Sequence, residues 1–119
     1  MGESLTFAKG VLGRTHGLLR EVPAGAIEDA EMDNIVARIK AVQNTLTLNE
    51  RQIWLRAKEG KEMMGDLGVA STKLLGAIER LQRAGAPGQS PLKDLKAALG
   101  EVELHTKRIN EETRKRGLI

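Results

Sequence analysis

From Met32 to Leu81 the apolar residues of this chain recur at alternating steps of four and three. Steps of seven fall on Met32, Ile39, Leu46, Ile53, Gly60, Leu67, Leu74 and Leu81, with Val36, Gln43, Ala57, Met64, Ser71 and Ile78 between them. A strand alternates every two residues, whereas a helix returns to the same face after three or four, so the period selects helix. The segment from Ile27 through Met32, Ile35, Val36, Ile39, Val42 and Leu46 is the best patterned, its apolar residues forming one broad stripe.

Two arrangements satisfy this stripe. One is a single rod from about Ile27 to Ala84, flanked by shorter helices and completed as a coiled coil by a second chain, since such heptads are what coiled-coil seams require. The other is an antiparallel bundle of four or five helices folded from one chain. Gly60, Gly65 and Gly68 decide between them, because each glycine costs about 1 kcal/mol relative to Ala inside a helix. On that cost a break is expected at Gly65-Asp66-Leu67-Gly68, and the bundle is the leading arrangement. A second possible boundary is Thr47-Leu48-Asn49-Glu50, which has the form of a capping box, although the stripe keeps its phase there.

The flanking segments are also helical in pattern. The first helix is expected from Ser4 to about Glu21, ended by a turn at Pro23 to Gly25, where proline lacks an amide donor and glycine tolerates positive φ. Another amphipathic helix covers Val69 to Ala84. A turn follows from Gly85 to Ser90, with Ser90 as cap and Pro91 as first residue of a last helix that buries Leu92, Leu95, Leu99, Val102 and Ile109 and frays near Arg116. The likeness of VLGRTHGLLREVPAG to LLGAIERLQRAGAPG reflects the stop signals any two helical hairpins share.

Composition narrows the fold and the function together. Phe7 and Trp54 are the only aromatic residues, so the core must be aliphatic, which suits close-packed helices. The 119 residues fit one domain spanning residues 1–119. The absence of cysteine excludes disulfides, thiolate catalysis and Cys-ligated metals, and is compatible with an intracellular, cytoplasmic setting. Apolar runs are too short for a transmembrane helix. The net charge of +3 is interspersed along the chain and gives little reason to expect nucleic acid.

No residue pattern announces chemistry. His16 and His105 are distant in sequence and belong to no HxxxH or HExxH arrangement, so no metal, cofactor or catalytic site is expected and the chain reads as a non-enzyme. Gly10, Gly13 and Gly17 share a face of the first helix, where a second helix can approach closely. Met1-Gly2-Glu3-Ser4-Leu5-Thr6 fits the N-myristoylation pattern, with Glu3 unfavourable to it. The basic residues Lys107, Arg108, Arg114, Lys115 and Arg116 are nearly balanced by Glu101, Glu103, Glu111 and Glu112, without aromatic platforms for bases.

The expected function is therefore protein–protein interaction or oligomerisation through helix faces, as in an adaptor, with another protein or a second copy as partner and a homo-oligomer as the leading state. Partner-binding residues are sought at Leu46, Arg51, Ile53, Trp54 and Leu55. Three consecutive large apolar residues cannot all face one narrow stripe, and Trp is enriched at binding hot spots. Trp54 closing a layer of the bundle is the competing assignment. Membrane association through the first helix is the alternative function, and nucleic-acid binding through the last helix a weaker one.

Overall fold

The computed structural model describes residues 3–22, 27–84 and 89–117. Helices α1 (Glu3–Leu19), α2 (Asp29–Asn49), α3 (Lys58–Ala84) and α4 (Gln89–Lys115) form a four-helix bundle, with one 3-10 turn (Ile53–Arg56) between α2 and α3. At about 1.5 Å per residue the 27-residue helices α3 and α4 are each about 40 Å long and account for most of the 46 Å long axis.

The stripe becomes the core. Ile35, Ile39, Val42 and Leu46 of α2 are buried, as are Gly60, Met64, Leu67, Ser71, Leu74, Ile78 and Leu81 of α3. They meet Leu5, Ala8, Leu12 and Leu19 of α1 and Leu95, Leu99, Val102 and Ile109 of α4 in one continuous cluster. Ile53, the residue from which the heptad is most easily counted, is 77% exposed. Its register is right and its environment is not, because the chain leaves the helix before reaching it.

The position of the break corrects the glycine argument. Helix α3 passes through Gly65 and Gly68 without interruption. The chain turns instead between Asn49 and Lys58, so residues 27–84 are two helices and not one rod. Glycine's helix cost is a local term of about 1 kcal/mol, and the apolar face of α3 buries several large side chains each worth about 2 kcal/mol or more. Nor do residues 47–50 start a helix: Thr47 lies inside α2, its hydroxyl donating to the Gln43 carbonyl at 2.9 Å. The turn expected at Pro23 to Gly25 lies outside the described residues, as do residues 85–88 of the turn expected up to Ser90. Gln89 and Ser90 themselves are helical, so α4 starts two residues before Pro91.

The helices do not follow one another around the bundle. Helix α1 packs on α2 and α3, and α4 packs on α2 and α3, so among the described residues α1 faces α4, and α2 faces α3, across a diagonal. Neighbours joined by a short connection, α1 with α2 and α3 with α4, run antiparallel. The other two seams are parallel. On the α2/α4 seam Lys96 pairs with Glu31, Arg38 bonds Glu103 through Nε at 3.0 Å, and Asn49 bonds Asn110, so both chains advance together. The Arg38 guanidinium is held above its ordinary pKa, chiefly by the hydrogen bond to Glu103, with burial opposing it and the charges of Glu103 and Glu31 adding to it. Residues 50–57 must therefore cross the end of the bundle diagonally to connect α2 with α3.

Candidate functional site

The diagonal crossover is the most elaborated part of the molecule, and all five residues singled out as partner-binding lie on it or beside it. Asn49 ends α2 and is completely buried. Its side-chain nitrogen donates to the Thr45 carbonyl at 2.8 Å and to Asn110 Oδ1 at 2.9 Å. Its oxygen accepts from the Thr113 hydroxyl at 2.5 Å, and that hydroxyl accepts from Trp54 Nε1 at 2.9 Å. Every polar atom in this line has a partner, which is the condition for burying it without a net loss.

The same line fixes the 3-10 turn. Trp54 and Leu55 turn inward and are 8% and 3% exposed, closing the end of the core. Arg116 lies over the indole at 4.8 Å and reaches Glu59 at 3.2 Å, tying the end of α4 to the start of α3. Gly60 lets the crossover pass in contact with α3: a Cβ there would stand 2.4 Å from Leu55 Cα and 2.6 Å from the Trp54 carbonyl oxygen. No larger residue fits that approach.

Of the five predicted residues, Leu46 is fully buried, and Trp54 and Leu55 are buried with it. Trp54 closes a layer of the bundle and is not an exposed anchor. Ile53 and Arg51 are the two that face solvent. Leu48 joins them, at 63% exposure, and was not anticipated because its register differs from the stripe. Leu48 and Ile53 are the two most exposed of the large apolar side chains described, and they flank the exit from α2.

A cleft of about 360 Å³ opens beside the crossover, between the start of α1 and the start of α3. Leu5, Leu55 and Met64, each at most 3% exposed, lie along it. Arg51, Gln52, Arg56, Lys61 and Glu50 surround them. Glu50 is bonded to Lys9 at 2.8 Å, whereas Arg51, Arg56 and Lys61 have no carboxylate partner among the described residues. On the α3/α4 side a separate hollow is acidic, carrying Glu59, Glu62, Asp66, Glu111 and Glu112 against Arg108 and Lys115.

The remaining sequence candidates are dispersed. His16 lies on α1 and His105 on α4, helices that sit on a diagonal and do not touch. His105 shares a shallow hollow with Asp66, Lys73 and Glu101, and no group of three potential metal ligands occurs among the described residues. Gly10 and Gly17 face open space, so no helix of this chain uses their close-approach surface; Gly13 lies 3.9 Å from Gln43. Phe7, 50% exposed, lies over an apolar groove on the α1/α3 seam with Val11 and Leu75. Met1 and Gly2 lie outside the described residues. Among the described residues no helix is long and apolar enough to cross a membrane.

Comparisons with protein-family models, with curated proteins and with solved structures return no match.

Proposed function

We propose that this chain is a non-catalytic interaction module that associates end-on with a second copy of itself through the crossover. The observation that supports this reading is the placement of Leu48 and Ile53. Single exposed apolar residues are ordinary, but here the two most exposed large ones flank the same short segment. That segment is held by the Trp54-Thr113-Asn49 line and by Gly60, so an apolar contact made on it needs little further ordering of the backbone. A dimer about a two-fold axis uses the same patch on both copies, and an apolar patch is complementary to itself.

The heptad stripe does not serve this association. Its residues are consumed by the core of one chain, which removes the reason a rod would have had for recruiting a partner. The test is solution mass by light scattering across a concentration series, on the natural chain and on Ile53→Glu. Concentration-dependent dimerisation that Ile53→Glu abolishes, with thermal stability unchanged, supports the reading. A natural chain that stays monomeric throughout the series removes it.

A further inference from the structure

The cleft between the starts of α1 and α3 combines two properties that the rest of the surface keeps apart. Its floor is core: Leu5, Leu55 and Met64 are buried residues whose side chains border open space. Its rim is cationic, because Arg51, Arg56 and Lys61 lack carboxylate partners among the described residues and the one acid present, Glu50, is bonded to Lys9. Its volume of about 360 Å³ falls in the range of small-molecule sites, about 300–1,000 Å³.

Charge and shape together choose the ligand class. A bare anion gains from the rim but leaves the apolar floor wet; a neutral apolar molecule covers the floor but leaves the cations unused. Helices α1 and α3 both begin at this end, so their positive dipole ends add to the field of the rim. The acidic hollow on the α3/α4 side repels anions, which leaves the cleft as the favoured position for one at this end of the bundle. We propose that the cleft binds a small anionic amphiphile, a carboxylate bearing a short unbranched apolar chain. The head lies against Arg51, Arg56 and Lys61, and the chain covers Leu5, Leu55 and Met64. Arginine supplies paired N–H donors in the geometry a carboxylate accepts.

Sodium octanoate is the probe, titrated below micelle-forming concentrations into the full chain at one fixed protein concentration. Trp54, the only tryptophan and the neighbour of Leu55, reports by fluorescence, and amide shifts in two-dimensional NMR report the location. The expected result is saturable one-site binding, with shifts centred on Arg51 to Met64. Octanol, which lacks the charge, and acetate, which lacks the chain, are each expected to bind at least tenfold more weakly. The variant Arg56→Gln/Lys61→Gln is expected to lose at least tenfold in octanoate affinity while melting at the natural temperature, since both side chains are exposed. No saturable shift overturns the proposal, as does equal affinity for octanol or for acetate, or a double variant that binds octanoate unchanged. The proposal stands independently of dimerisation, because octanoate binding and solution mass are read separately.

Discussion

Thr113 shows how much one hydroxyl can carry. It has one proton, and two acceptors within reach: Asn49 Oδ1 at 2.5 Å and the Ile109 carbonyl at 3.1 Å. Donation to Asn49 leaves its lone pairs for the indole N–H of Trp54, so a single atom joins α2, the 3-10 turn and α4. Thr113→Val preserves the shape and removes the atom. Trp54 Nε1 and Asn49 Oδ1 then lose their shared partner in a buried site, at about 1–3 kcal/mol for each group left unsatisfied. We expect Thr113→Val to lower unfolding free energy by about 2–4 kcal/mol in urea denaturation, on that per-group cost, and Thr113→Ser to recover most of it. Equal losses for the two variants would show that methyl packing, and not the hydrogen-bonded line, holds the crossover.

At the scale of an element, α3 separates two roles of glycine. Gly65 has open space where a Cβ would go, so its only contribution is flexibility that the helix must suppress. Gly65→Ala is expected to stabilise the chain by about 1 kcal/mol, the ordinary difference between the two residues in a helix interior. Gly60 has the Leu55 backbone at 2.4 Å, which cannot rotate away as a side chain could. Gly60→Ala is expected to destabilise by about 2–3 kcal/mol, the cost of forcing extra volume into a packed contact. Thermal melts followed by circular dichroism read both, and the opposite signs are the point: an equal response would mean that the crossover does not rest on Gly60.

For the whole molecule, the diagonal connection determines which substitutions are informative. A charge at Leu46 places an ion in the middle of the core, so Leu46→Glu is expected to unfold the chain and says nothing about assembly. A charge at Ile53, 77% exposed, leaves the fold intact and tests association alone. The parallel α2/α4 seam also bears on pH. Arg38 has a raised pKa in the folded chain, so the stability it contributes is complete below its unfolded value and is lost only as pH rises through the folded one. Both lie far above neutrality. We therefore expect the Arg38 contribution to be constant from pH 6 to pH 9, checked by comparing the natural chain with Arg38→Met in urea titrations across that range.

The all-helical class, the aliphatic core and the buried faces of α2 and α3 were determined by the sequence, because apolar period is a property of the chain itself. Leu46, Leu67, Leu74, Ile78 and Leu81 are buried where the stripe put them. The location of the break was a tertiary decision. Local glycine cost pointed to Gly65 and Gly68, yet the chain turns at residues 50–57, where Asn49, Trp54 and Thr113 satisfy one another across three elements. None of those partners is near another in sequence except Asn49 and Trp54, so no local pattern encodes the line. The sequence likewise made Ile53, Trp54 and Leu55 conspicuous as a group. Which of them faces solvent depends on the direction in which the chain crosses the bundle end, and only the packed helices fix that direction.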